Sequence, residues 1–397
     1  MIRFIFVKCL GGGGDHIMIY FDNSATTKPY KEVLDSFTTV SSEYFGNPSS
    51  LHRIGGQAEK LLTQARDQVA KLLKVKPSEI YFTSGGTESN NMAIKGAALL
   101  NRNKGRHIIT SSIEHASVLE VMEQLAGEGF EITYLPVDRN GRVSVEDVER
   151  AIRKETILVS IMQVNNEVGS IQPIAEIGEM LKKYPSILFH VDAVQAIGKV
   201  PLSINRNRVD FCSLSAHKFH GLKGTGVLFV REGTRLTPLL SGGNQERKLR
   251  SGTENVAGFV SMAKALRMTL GKSAYGIAAM IKIQNMLRKS LNEIAGVKVH
   301  TPLEGAAPHI LNFSLEETKS EVFIHALEQD GIFVSTTSAC SSKRKSPSKT
   351  LIAMGVPEQL ADSSIRISLS FDNTEEEAIV VIHAIKKYVN QLRKVRN

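Results

Sequence analysis

The sequence predicts an α/β protein with two domains, a large one built on a mostly parallel sheet and a smaller α+β one with an antiparallel sheet. Three observations predict it. Short apolar or β-branched runs alternate with amphipathic segments through the first two thirds of the chain, the pattern of a parallel sheet covered on both faces. Near residue 265 the alternation gives way to a long helical stretch followed by strand-like runs. The length of 397 residues exceeds the roughly 250 to 300 at which a single core stops growing.

In chain order, QAEKLLTQARDQVAKLL (57–73) repeats its apolar residues at helical spacing, and EIYFT (79–83) and HIIT (107–110) read as buried strands. SVEDVERAIRK (144–154) reads as a helix capped by Ser144. The strands ILVSIM (157–162), ILFHV (187–191), FCSL (211–214) and GVLFV (226–230) follow. Beyond the helical stretch that runs to 291, HILNFSL (309–315), GIFVSTTS (331–338) and SIRISLS (364–370) supply the smaller sheet. The Ser/Lys-rich TTSACSSKRKSPSK (336–349) has the composition of a mobile loop.

Composition narrows the classes. No apolar stretch reaches the roughly 20 residues that span a bilayer, and MIRFIFVKCL is too short for a signal peptide and lacks a small-residue cleavage site. A cytoplasmic location is expected. Cys9, Cys212 and Cys340 are too widely spaced for a disulfide framework or a metal clip, so a reducing compartment and no metal site are expected. The net charge of +9 admits nucleic acid, acidic partners or solubility alone. The basic residues are dispersed and no stacking aromatics interleave with them, which favours solubility and no direct nucleic-acid binding. At the N-terminus, GGGGDHIM precedes a clean start at Met18. Residues 1–17 read either as a translated purine-rich ribosome-binding site or as a flexible glycine linker.

In such sheets ligands bind beyond the carboxyl ends of the strands, so the residues following each run are the candidates. SGGTESNN offers Gly85 and Gly86 for a tight turn and Thr87 at a helix N-terminus, an anion site. EHASV offers His115, and VNNEVG the amides of Asn165 and Asn166, which either cap a turn or bind a carboxylate. DAVQAIG places Asp192 at a strand end with Gln195 three residues on, and SLSAHKFHGLKG delivers Ser215, His217 and Lys218. Burial disfavours an ammonium group, so Lys218 either escapes to solvent or has its lowered pKa put to use. A carboxylate for a protonated ring nitrogen and a lysine for a Schiff base are the two protein groups expected around pyridoxal phosphate.

The ordered set YFDNSATT, FGNPSSLHRIG, TSGGTESNN, EHASV, VNNEVG, HVDAVQAIGK, SLSAHKFHGLKGTG, ERKLRSGTENV, SAC and SSIRISLS resembles the cysteine desulfurases of the class V aminotransferase family, in their NifS/IscS-like branch. It covers nearly the whole chain from Met18. The resemblance implies pyridoxal-phosphate fold type I with a seven-stranded sheet. It also implies an extension of doubtful origin (1–17), an N-terminal segment packing with the small domain (18–29), a large cofactor domain (30–265) and a small domain carrying a catalytic cysteine loop (266–397).

The resemblance also implies roles. Lys218 would hold the cofactor and move protons, Asp192 would face the pyridine nitrogen, Gln195 the phenolic oxygen, and His115 the ring face. Gly86, Thr87, Ser215 and His217 would hold the phosphate, and Thr253 the phosphate of a neighbouring subunit, which implies a homodimer. Asn166 and Arg366 would fix the substrate carboxylate. Cys340 would take sulfur from L-cysteine as a persulfide, favoured as thiolate by Lys343, Arg344 and Lys345, and a sulfur-acceptor protein would receive it for iron–sulfur assembly, tRNA thiolation or thiamine synthesis. Cys212 reads as a core hydrophobe. SAHK stands where many members of that family have SGHK, and LSFDNTEEE where LGRFTTEEE is more usual. A selenocysteine lyase, another lyase of the same fold and a non-catalytic sulfur-relay scaffold are the competing readings.

Overall fold

The computed structural model describes residues 18–316, 318–336 and 347–394. Cys9, Cys340, Lys343, Arg344 and Lys345 lie outside the described residues, as does the extension 1–17. The strands in chain order are β1 (Ile19–Tyr20), β2 (Ile80–Thr83), β3 (His107–Ser111), β4 (Glu131–Leu135), β5 (Thr156–Met162), β6 (Leu188–Asp192), β7 (Phe211–Ser215), β8 (Gly226–Val230), β9 (Val297–Val299), β10 (Ile310–Leu315), β11 (Ile332–Phe333), β12 (Ser335–Thr336) and β13 (Ser364–Ser368).

Two compact units form. One takes Thr26–Asn166 and Ser170–Ala274; the other takes the described residues up to Ala25, the turn Glu167–Gly169, and the chain from Tyr275. The helix Val256–Asn292 runs through the division at Ala274.

The first unit holds a seven-stranded sheet in the order β2-β8-β7-β6-β5-β3-β4. Its pairs are parallel except at β8, which runs antiparallel to both β2 and β7. The sequence explains the inner strands: β5 reads TILVSIM and is buried at every position, as a strand covered on both faces must be. The edge strand β4, EITYL, is not among the apolar runs because Glu131 and Tyr134 face solvent. At the other edge, the expected strand start at Glu79 is a single 3-10 turn, Pro77–Glu79, since proline fixes its φ and has no N–H to give to a ladder. The helix expected over 144–154 ends at Ala151, with Ser144 Oγ accepting from Asp147 N at 3.2 Å as its cap.

The second unit holds the antiparallel sheet β12-β13-β10-β9 and the parallel pair β1-β11. The described part of GIFVSTTS, residues 331–336, holds two two-residue strands. Phe21, Phe313, Phe323, Ile365, Leu369 and Ile385 lie in its core. The departure LSFDN is accommodated here. Phe371 packs so closely on Gly276 that a Cβ there would lie 2.2 Å from its ring, and Asn373 Oδ1 accepts from Ser370 N at 2.8 Å. No helix among the described residues is long and apolar enough to cross a membrane.

Candidate active site

In the first unit, the carboxyl ends of neighbouring strands bring the candidates together. Strands β6 and β7 run parallel with Asp192 opposite Ser213, so Asp192 and Ser215 emerge at the same edge. The Asp192 carboxylate is 6% exposed and is held by two neutral donors, Asn90 Nδ2 at 2.8 Å and Val194 N at 3.0 Å. A buried carboxylate met by neutral donors lacks a counter-charge, which a cationic ring nitrogen would supply.

Asn90 also donates to Ser117 Oγ at 2.9 Å. Ser117 Oγ lies 2.8 Å from His115 Nδ1, and Ser117 N donates to the same nitrogen at 3.1 Å. A ring nitrogen that accepts a backbone N–H carries no proton, so neutral His115 holds its hydrogen on Nε2. Burial lowers the His115 pKa, and Lys218 lowers it further against the opposing pull of Asp192. The imidazole is thus kept neutral with one defined donor.

The anion cradle forms where the helix Gly86–Asn101 begins. Gly85 has φ +149, and a Cβ on Gly86 would lie 2.7 Å from Val194 Cγ2. Glycine is therefore required there for the helix end to approach the loop after β6. Ser215 Oγ lies 3.4 Å from where a Gly85 Cβ would stand, which sets a hydroxyl beside the N-terminal N–H groups and their positive dipole end. Thr87 is exposed at that terminus, and Thr87 and His115 line one cleft of about 350 Å³.

Lys218 ends the 3-10 turn Ala216–Lys218 that follows β7. Thr27 pins this turn: its N and Oγ1 donate to the His217 carbonyl at 2.8 and 2.9 Å, and it accepts from His220 N at 2.7 Å. That is the local role of the SATT stretch. His217 Nδ1 lies 3.2 Å from Thr26 Oγ1, and burial, then Lys218 and Lys223, push its pKa down to about 4. Ala216, the departure from SGHK, is fully buried. Gly221 makes room for its methyl group, since a Cβ there would lie 2.7 Å from Ala216 Cβ.

The remaining candidates are placed as follows. Gln195 is 5% exposed in the turn after Asp192. Asn165 is a turn fastener, donating to Ile113 O at 3.0 Å, and Asn166 is half-buried beside it. Thr253 is exposed on the loop before the long helix, where Arg250 Nε donates to Glu88 Oε1 at 2.9 Å and ties that loop to the helix 86–101. In the second unit, Arg366 on β13 is 1% exposed and its Nη2 lies 3.0 Å from Asp22 Oδ1. Cys212 is fully buried, and burial pushes its thiol pKa far up, so it is a core residue and no nucleophile. Sequence reasoning passed over the residues that orient the others: Asn90, Ser117 and Thr27. Asn90 carried one signal, lying three positions after Thr87 and so one helical turn along the same face.

These residues fit pyridoxal phosphate. A helix N-terminus with a hydroxyl beside it suits a phosphate, a buried carboxylate suits a protonated ring nitrogen, and a lysine ends the adjacent turn. Fold and site together define a pyridoxal-phosphate enzyme of fold type I. The chain belongs to the aminotransferase class-V family, whose family model matches residues 19–380. It is 49% identical over 382 residues to a NifS/IcsS protein homolog of Lactobacillus delbrueckii subsp. bulgaricus, covering 96% of this chain and 99% of that one. It is 43% identical over 378 residues to the cysteine desulfurase IscS of Dictyoglomus turgidum, covering 95% of this chain and 96% of that one. The solved structure of a NifS-like protein superposes with a TM-score of 0.89 at 41% identity, covering 94% of this chain and 100% of that one.

Proposed function

We propose that this protein is an L-cysteine desulfurase that releases L-alanine and holds the sulfur as a persulfide on Cys340 for transfer to an acceptor. The observation that carries the reading is the convergence of Asp192, Lys218, His115 and the Gly86/Ser215 cradle at one sheet edge, in a chain so similar to cysteine desulfurases.

Pyridoxal phosphate, when bound, supplies an electron sink that labilises bonds at the α- and β-carbons of an amino acid. Asp192, held by Asn90 and Val194, would keep the ring nitrogen protonated. Gln195 would serve the phenolic oxygen, and Gly86, Thr87, Ser215 and His217 would hold the phosphate. Lys218 would anchor the cofactor through its amine, which would also carry protons between substrate carbons. His115 would serve the ring with its Nε2 proton. Asn166 and Arg366 would bind the substrate carboxylate, with Asp22 orienting the Arg366 guanidinium. The Cys340 thiolate attacks the substrate sulfur; an S–S bond forms as the C–S bond breaks, and the carbon left behind takes a proton to become the methyl group of alanine. Lys343, Arg344 and Lys345 favour the thiolate.

The same reading makes the protein a cytoplasmic homodimer in which Thr253 meets the partner's phosphate. Its acceptor is a protein of iron–sulfur assembly, tRNA thiolation or thiamine synthesis. Lys218→Ala tests the core of the proposal: visible cofactor absorbance and alanine release from cysteine should both vanish. Absorbance at the parental intensity that borohydride bleaches would place the imine on another residue, and absorbance that resists borohydride would show no imine at all.

A further inference from the structure

Lys199 is buried, 4% exposed, and no carboxylate pairs with it among the described residues. Burying an ammonium without a counter-ion is costly, so its position needs a reason. Its Nζ donates to the carbonyl of Lys218 at 3.2 Å. Lys199 closes the loop that follows β6, with its N donating to Ala196 O at 2.9 Å and Gly198 at φ +75 beside it. Its side chain therefore crosses from the loop carrying Asp192 and Gln195 to the turn carrying Ser215, His217 and Lys218. The carbonyl it meets ends a 3-10 turn, where a cation is favoured.

We propose that Lys199 is a positioning residue for Lys218: it ties the two strand ends together through the Lys218 carbonyl and sets a second positive charge against the turn that presents the Lys218 amine. The assignment rests on Lys218 being the cofactor-bearing lysine. Burial and then Lys218 bring the Lys199 pKa down to about 7, and the coupling is reciprocal, so a charged Lys199 lowers the affinity of the Lys218 nitrogen for its proton. The groups that act on this pair are His115 from the turn before the helix 116–127 and His217 from the Lys218 turn itself. Asp192 acts on His115, and Lys223 on His217.

The test is a pH titration of the visible cofactor absorbance in the holoenzyme, with cofactor retention on dialysis as the second readout. Lys199→Gln keeps an N–H donor but loses the charge, and its absorbance midpoint should move up by about half a pH unit or more. Lys199→Met loses both, and should show the same shift with roughly tenfold faster loss of cofactor. Lys199→Arg, which stays charged throughout the titration, should have its midpoint at or below the parent's. A parental midpoint in Lys199→Gln overturns the proposal, and that variant decides the matter should Lys199→Met fail to fold. A parent protein with no lysine-bound chromophore overturns the reading of Lys218 and this proposal with it, whereas a normal parent chromophore with unmoved variants overturns this proposal alone.

Discussion

Asn90 Nδ2 lies 2.8 Å from Asp192 Oδ2 and 2.9 Å from Ser117 Oγ, so one amide orients both the carboxylate and, through Ser117, the imidazole of His115. Both bonds leave the same nitrogen, so the amide couples the orientation of Asp192 to that of His115.

Asn90→Ala should therefore weaken cofactor binding while leaving the fold intact. A hydrogen bond to a charged group contributes about 1.5 to 3 kcal/mol, which corresponds to a loss of roughly tenfold or more in affinity. Equilibrium dialysis of pyridoxal phosphate against the refilled variant reads it directly. Unchanged affinity would mean that Val194 N alone fixes Asp192.

Glu114 gives a pH dependence. Its Oε1 accepts from Ser111 Oγ at 2.6 Å and Met162 N at 3.0 Å, while Oε2 is buried with no hydrogen-bond partner among the described residues. Burial, with a smaller push from Asp192, raises its pKa from 4.5 to about 8. The folded chain then holds a proton that the unfolded chain has released, so this group's contribution is fully present below pH 4.5 and is lost as pH rises toward about 8. Glu114→Gln has no such loss, and the stability difference in favour of the variant should widen steadily across that window. Urea unfolding of both proteins at several pH values checks it; parallel curves would show that Glu114 titrates normally.

The sequence exposes the strands that are buried on both faces, because β5 to β8 are mostly apolar or β-branched, and it exposes Asp192, Ser215 and Lys218 as candidates, because of residue type at a strand end. It hides what depends on contacts between distant segments. Asn90 meets Ser117 from 27 positions away and Asp192 from 102, and no local pattern announces such a bond. Lys199 was in plain view within VDAVQAIGK, but its partner is a backbone carbonyl, which has no residue type to recognise. The edge strand β4 was passed over for the opposite reason, since half its side chains answer to water rather than to the core.

A strained segment gives a third prediction. Glu246, Arg247 and Lys248 have φ of 43, 55 and 67 in succession. Two of them are anchored: Glu246 accepts from both Arg66 nitrogens at 2.6 and 2.8 Å and from Phe82 N at 2.8 Å, and Arg247 donates to Pro77 O and Ser78 O at 3.0 and 2.9 Å. Lys248 is exposed, so its left-handed backbone has a cost with no comparable side-chain anchor. Lys248→Gly should stabilise the protein by about 1 kcal/mol and raise its melting temperature. Arg247→Gly, which relieves the same strain but loses the anchors, should lower it. Calorimetry of the two variants separates strain from anchoring, and a Lys248→Gly melting temperature at or below the parent's would remove strain from the account.

The last prediction concerns Cys340, because a cofactor pocket of this kind serves many lyases and transaminases and does not by itself select desulfuration. Cys340→Ser removes the sulfur nucleophile and leaves Lys218, Asp192, Ser215 and the helix 86–101 unaltered in sequence. A hydroxyl near neutral pH is neither ionised nor drawn to sulfur. Cofactor content should match the parent's, and L-cysteine should still perturb the visible spectrum as it displaces Lys218. Alanine release and protein-bound persulfide should fall to near background. Alanine formed from cysteine at the parental rate would show that the product sulfur leaves without this thiolate, and would move the protein to the lyases that act on selenocysteine.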